Sequence, residues 1–426
     1  MKTTENTTQS TSICCPACGL LCDDISLTNT SPVILKNACA KSIKFYEQAY
    51  TANNASPSVA GKSTDLNTAI QAAAAILNKS QQPLFAGLGT EVQGMRAVIR
   101  LAEKTNATLD HMHSEGAVRN TLTLQNSGWQ NTTLAEVKNR ATLILAIGTD
   151  IVTSHPRFFE KLVWNKDSMF DKTSPEVIYL GESLANTQAS ISPDGKIPTV
   201  ISAEHAKLPE ILNALHGLMN SKNPLSKKAD EDLIGGVSIA TLRSIIEKIK
   251  AAQYTVVVWA AGAFNYPNAE LTIQSITQLI AKFNETIRIA GLPLNAGDGD
   301  LSANNACTWL NGYPIRSRFN HGQMEYDVHQ FATKVQIKTC DALLWTSTFN
   351  PHLPPSCNAP TIFIGHPNIK FESTPDVFIP VGIPGIDHAG TIIRMDNVVS
   401  LPLKKLRETT LPTLSQVIQR ILDQLS

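Results

Sequence analysis

Tyr254-Thr255-Val256-Val257-Val258-Trp259-Ala260-Ala261-Gly262 is the strongest strand signal in the chain. Its apolar residues are consecutive rather than alternating, and it ends in glycine. A strand apolar on both faces belongs in a parallel sheet covered by helices on each side. The same signature recurs in Pro83–Gly87, Ala141–Gly148, Glu176–Gly181, Ala342–Thr346, Thr361–Ile364 and Asp376–Ile379, and more weakly in Thr108–Asp110 and Thr286–Ala290. Between them lie helical periods: Asp65–Leu77, Val92–Lys104, Leu208–Met219 and Ile234–Ala251, with a further helix at Thr413–Leu425. Alternating strands and helices give an α/β fold. The strands are too many for one sheet, so the chain is expected to hold two Rossmann-like parallel-sheet domains.

Several of these strands close on glycine: Gly87, Gly148, Gly181, Gly262 and Gly365. Ligands of open α/β sheets bind in the crevice beyond the carboxyl ends of the strands. Gly87-Leu88-Gly89 falls short of a dinucleotide fingerprint, so these residues read as turn glycines.

The chain has 426 residues, 42% of them hydrophobic and 17% charged, with 36 basic and 36 acidic side chains. Balanced charge argues against nucleic acid or an anionic membrane as the main partner. No apolar run reaches the ~20 residues of a membrane span. The N-terminus Met1-Lys2-Thr3-Thr4-Glu5-Asn6 lacks the apolar core of a secretory signal, so a cytoplasmic protein is expected. The low charged fraction hints at a large intersubunit contact, or at habitat.

Five of the eight cysteines crowd the first forty residues: Cys14, Cys15, Cys18, Cys22 and Cys39. Cys15-x2-Cys18-x3-Cys22 with Cys39 following has the spacing of ligands around one centre. Four thiolates hold either zinc or a [4Fe–4S] cluster. The uneven loops lean towards iron–sulfur, but spacing alone leaves both open. Gly19 is expected to give the tight backbone path. Residues 1–12 read as a polar lead, Pro32–Leu35 as a short strand, and the second half of Lys36–Tyr50 as helix.

Other candidates are weaker. His155-Pro156-Arg157 follows a strand, and reads as a helix start with His155 as cap rather than as an anion site. Cys307-Thr308-Trp309-Leu310-Asn311-Gly312-Tyr313-Pro314 is the densest aromatic patch and reads as packing anchors. His321, Glu325, Asp327 and His329 fit no metal template and read as a solvated loop over Asn320–Gln330. His111-Met112-His113 resembles the His-x-His of some metal hydrolases, but the further ligands are not evident in the sequence. No G-x-S-x-G, P-loop or H-E-x-x-H is present.

Taken together, these residues resemble the B subunit of formylmethanofuran dehydrogenase, of the molybdopterin and tungstopterin oxidoreductases. The resemblance rests on Cys15-x2-Cys18-Gly19-x2-Cys22-Asp23-Asp24 with Cys39, on Glu136–Ala141, His155-Pro156-Arg157 and the Cys307–Pro314 motif. Pro375–Pro380 and Gly390-Thr391-x2-Arg394-Met395-Asp396 extend it, and it spans nearly all of residues 13–405. It implies a small N-terminal cysteine lobe (residues 1–60), a Rossmann-like domain from residues 61–112 and 298–426, and a second one, residues 113–297, inserted into it. It also implies that the fold's C-terminal barrel domain is lacking.

The departures decide the implied function. Redox members carry a metal-ligating cysteine or selenocysteine followed by histidine. Those positions fall on Gly116 and Ala117 within His113–Val118. An Arg-Gly-His segment is matched by Asn295-Ala296-Gly297, and an Asp-Pro-Arg segment that helps hold the pterin is matched by Gly181-Glu182-Ser183. Glycine cannot ligate a metal and alanine cannot move a proton. Neither tungstopterin nor molybdopterin is therefore expected, and no catalytic residue is assigned. The pattern resembles the bacterial formyltransferase/hydrolase complex of tetrahydromethanopterin-linked one-carbon metabolism. There the resemblance implies a non-redox scaffold, bound to an amidohydrolase-like A subunit, a C subunit and a formyltransferase D subunit. Two alternatives remain. One is an active dehydrogenase component interconverting formylmethanofuran and CO2, and the other is a free-standing binding protein.

Overall fold

The computed structural model describes residues 10–28, 34–50, 55–182, 184 and 190–425. The chain divides into two compact units. One runs to Ser114 and resumes at Gly297, and includes the cysteine segment; the other is Glu115–Ala296.

The Glu115–Ala296 unit is built on five parallel strands in the order Thr199–Ser202, Glu176–Gly181, Leu143–Ile147, Thr255–Trp259, Ile289–Pro293. The first strand in sequence lies in the middle, so winding reverses beside it. The switch point falls between Leu143–Ile147 and Thr255–Trp259, which pair Leu143 with Thr255 through Ile147 with Trp259. All five residues of each of these strands are buried. Helices Leu208–Leu218, Ile239–Ala251 and Glu270–Phe283 bury Leu212, Leu215, Ile245, Ile249, Ile276 and Ile280 in one core with Leu145, Ile147 and Trp259.

The other unit holds a nine-stranded sheet whose centre is parallel: Thr108–Leu109, Pro83–Gly89, Ala342–Ser347, Thr361–Gly365 and Val377–Pro380. Antiparallel hairpins close both edges, Ser317–Asn320 with Gln323–Tyr326 and Ser58–Val59 with Lys62–Ser63. Here the switch point lies between Pro83–Gly89 and Ala342–Ser347. Helix Leu66–Lys79 starts on Asp65, whose carboxylate accepts from Thr68 N at 3.0 Å. Helix Leu414–Leu422 starts on a Thr413–Gln416 capping box. Among the described residues, no helix is long and apolar enough to cross a membrane.

Four expectations are corrected. Ile234–Ala251 is not one helix: Leu233–Ile234 and Val237–Ser238 form a hairpin, and the helix begins at Ile239. Gly235 and Gly236, with φ of 59° and 84°, make the two-residue turn, and Ser238 then caps the helix. Asn320–Gln330 is not simply a loop, because His321 (φ 48°) and Gly322 (φ 83°) turn a second hairpin of the same kind. Thr286–Ala290 shifts to Ile289–Pro293. Of Pro32–Leu35, the strand is Ile34–Lys36, while Pro32 and Val33, like residues 1–9 of the polar lead, lie outside the described residues.

Candidate functional site

The cysteine segment is a three-stranded antiparallel sheet, Ser10–Ile13, Ile25–Thr28 and Ile34–Lys36, followed by helix Ala40–Tyr50. Cys15, Cys18 and Cys22 lie in the loop between the first two strands, which Cys15 N closes by donating to Cys22 O at 2.9 Å. Leu21 N donates to Cys18 O at 3.3 Å, closing a turn with Gly19 and Leu20 at its centre, and Leu21 follows at φ 48°. Cys39 sits at the helix start, where its carbonyl accepts from Ile43 N at 2.9 Å. Ser42, one turn in, draws the set together: its hydroxyl meets Cys15 Sγ at 3.2 Å and Cys39 Sγ at 3.4 Å. Cys14 faces away, its thiol donating to Leu21 O.

Burial pushes the Cys15 thiol up to about 12, and the neighbouring Cys18 and Cys22 add to the shift. Burial likewise raises Cys18, with Cys39 contributing. These thiols stay neutral unless a cation displaces their protons, so the donor set fits a thiolate-bound centre. Around a single zinc, sulfurs at 2.3 Å from the ion would lie about 3.8 Å apart. Among the described residues no three cysteine sulfurs gather within 4.8 Å of one another.

Gly116 lies in the first turn of helix Ser114–Ser127. A Cβ there would stand 2.9 Å from Gly262 N and 3.1 Å from Gly262 Cα. The main chain following strand Thr255–Trp259 thus fills the space that a side chain would need, at the switch point of this sheet. The helix is held in that position by Arg119 Nη1 donating to Ala261 O at 2.8 Å and Trp259 Nε1 donating to Asn120 Oδ1 at 3.0 Å. Ala117 offers its carbonyl to Thr121 Oγ1 at 2.9 Å. Asn295 Oδ1 faces Nε2 of the buried His155 at 3.4 Å. Glu182 accepts from His205 N at 3.1 Å, and Ser183 lies outside the described residues. His155 ends the short helix Ile151–Ser154 and does not cap a following one. Arg157 is buried and forks onto Glu160 at 3.1 and 2.6 Å, an internal ion pair. The aromatic patch is not an anchor throughout. Cys307 is buried, but Trp309 is 63% exposed, and Leu310 and Tyr313 are exposed with it.

A second cluster lies at the switch point of the other sheet. His111 and His113 follow strand Thr108–Leu109, Asn350 and His352 follow Ala342–Ser347, and Asp298 sits two residues before helix Asp300–Asn311. His113 Nε2 is 3.1 Å and His352 Nε2 is 3.0 Å from the same oxygen, Asp298 Oδ2. Asn350 Nδ2 donates to Asp298 Oδ1 at 2.6 Å. His111 Nδ1 accepts from His113 N at 3.0 Å, and burial holds His111 neutral, down at about 3. Burial alone would raise Asp298, but hydrogen bonds from His113, His352 and Asn350 outweigh it and hold the carboxyl well below the usual range. His111-Met112-His113 is the half of this cluster that the sequence displays. Its partners are 185 or more residues away, beyond the reach of spacing.

No family model matches the chain. It is 24% identical over 410 residues, 91% of each chain, to the B subunit of the tungsten-containing formylmethanofuran dehydrogenase 2 of Methanococcus maripaludis. It is 29% identical over 383 residues, 86% of this chain and 97% of the other, to the B subunit of the formyltransferase/hydrolase complex Fhc of Methylorubrum extorquens. Among solved structures, it superposes with a TM-score of 0.69 and 24% identity on a chain of the formyltransferase/hydrolase complex from Methylorubrum extorquens in complex with methylofuran. That match covers 87% of this chain and 98% of that one.

Proposed function

We propose that the chain, which is similar to formylmethanofuran dehydrogenase B subunits, is a non-redox component of a formyltransferase/hydrolase complex. In this reading it works in the cytoplasm, beside an amidohydrolase-like A subunit, a C subunit and a formyltransferase D subunit, in the oxidation of formaldehyde to formate. It supports the subunits that transfer and hydrolyse a formyl group on a methanofuran-type carrier, and holds no pterin-bound tungsten or molybdenum itself. The observation that carries this is Gly116. The position aligned with the metal-ligating cysteine lacks a side chain and is packed against the Gly262 main chain, 2.9 Å from where a Cβ would be. Asn295, turned onto His155, supports the same reading. Alignment over 97% of the Methylorubrum chain supports a role for the whole polypeptide.

Cys15, Cys18, Cys22 and Cys39 would hold a [4Fe–4S] cluster, or zinc, that folds the N-terminal segment. The cluster would supply a rigid four-point crosslink. Ser42 orients Cys15 and Cys39. A broad visible absorption in anaerobically purified protein, bleached by dithionite, is the expected sign. A colourless protein containing zinc would replace the cluster with an ion.

The test of the functional reading is the purified complex assayed two ways. Hydrolysis of the formyl carrier is expected, with no formate-dependent reduction of a viologen dye. Dye reduction that depends on this chain would overturn the assignment in favour of the dehydrogenase.

A further inference from the structure

We propose that His113, Asp298 and His352 form a binding site for a divalent transition-metal ion. Among the described residues they are the group whose ligand atoms all lie within 4.8 Å of one another. Two imidazole nitrogens and one carboxylate oxygen converge, which is the donor set of a facial triad. With metal–ligand bonds of about 2.1 Å, adjacent ligand atoms in an octahedral site stand about 3.0 Å apart. The two nitrogen–oxygen separations here are 3.1 and 3.0 Å.

The surroundings are built for that convergence. Asp298 lies between Gly297 and Gly299, and all three residues have positive φ, at 103°, 52° and 74°. Glycine adopts positive φ freely, so the constraint falls on Asp298, which holds a left-handed backbone that few residues beside glycine, asparagine and aspartate adopt. A Cβ at Gly299 would run into the Thr90 carbonyl, so the path is forced close to the loop after strand Pro83–Gly89. Asn350 occupies Oδ1, which leaves Oδ2 to the two histidines. His111 anchors the backbone of His113 through Nδ1, and its Nε2 lies 3.4 Å from the Asp298 carbonyl. Such outer contacts orient metal ligands. The site also stands where open α/β sheets bind ligands, past the carboxyl ends of the strands that flank the switch point. The Asp298 side chain is 10% exposed while His113 and His352 are 31% and 42% exposed. The carboxylate is therefore the buried base of the site, and the remaining coordination positions face solvent.

Cobalt(II) titration of the purified full chain tests this. One equivalent is expected to give d–d bands without thiolate-to-cobalt charge transfer, marking a nitrogen–oxygen site. Asp298→Asn keeps a residue that tolerates left-handed backbone, and His352→Ala removes a half-exposed ring. Each is expected to weaken cobalt binding by at least the roughly 10–100-fold that loss of an outer-shell partner costs, with the far-ultraviolet circular dichroism unchanged. Cobalt bands of thiolate character only, binding unaffected by both variants, or no uptake by the folded chain would overturn the site and leave a hydrogen-bonded trio. None of these outcomes bears on whether the Gly116 position once held a pterin-bound metal.

Discussion

Gly116 and its neighbour Gly262 give the sharpest consequence at the scale of single residues. Alanine at an ordinary helical position would stabilise by up to about 1 kcal/mol over glycine. At position 116 the added Cβ meets main chain at 2.9 Å, which cannot rotate away. Overpacking of this kind costs about 1–3 kcal/mol, so it outweighs propensity. Gly116→Ala is expected to destabilise by up to a net ~2 kcal/mol in urea unfolding; a stabilised variant would mean that the Gly262 main chain gives way to the added methyl. His366 gives a pH dependence. It is fully buried, and burial chiefly, with Arg407 adding and Asp387 opposing, pulls it down to about 4. The unfolded chain protonates this ring near pH 6.5, so stability is complete above that value and is lost as pH falls towards 4. The loss amounts to about 3 kcal/mol at most. His366→Asn keeps an acceptor for Asn368 N, which now donates to the ring at 3.1 Å. Unfolding measured between about pH 7 and pH 4.5 is expected to show a shallower slope in that variant. At this scale the sequence was partly readable. The family resemblance drew attention to Gly116, whereas the Gly262 main chain against it was not readable, because the two glycines are far apart in the chain.

Among the elements, the cysteine segment is the one for which a structural metal centre is proposed. Its sheet strands are three or four residues long, too short to hold a loop of buried thiols unaided. Cys18→Ser is expected to destabilise this segment and to reduce recovery of the assembled complex, while hydrolysis per assembled complex stays at the parent rate. Loss of the hydrolytic rate with assembly intact would contradict a structural role. Buried strands such as Glu176–Gly181 and helices with sharp caps such as Leu66–Lys79 were legible because consecutive apolar runs and cap residues are local signals. The Gly235-Gly236 and His321-Gly322 hairpins were hidden because polar or short flanking strands mask a two-residue turn. Helix Ser114–Ser127 was hidden because its Thr, Asn and Gln residues carry little apolar period. Helix Glu270–Phe283, with Ile273, Ile276, Ile280 and Phe283 on one side, carries a period as legible as those of the expected helices, although it was not among them.

Among the described residues the two largest sheets each have their own switch point, and the two points differ in kind. In the Glu115–Ala296 unit the point is closed by Gly116 against Gly262. In the other it is lined by two histidines and a carboxylate that no local motif could have joined. Exposed Trp309, Leu310 and Tyr313 form an apolar surface of the kind that contacts between subunits cover. Trp309→Ala is expected to weaken association with the other subunits without changing the unfolding midpoint of the isolated chain, as read by co-purification and by denaturation. The central proposal is that this chain holds no pterin-bound tungsten or molybdenum, and elemental analysis of the purified complex tests it most directly. Tungsten and molybdenum far below one atom per chain, with no extractable pterin, is the predicted result; a stoichiometric content of either metal with its pterin would contradict it.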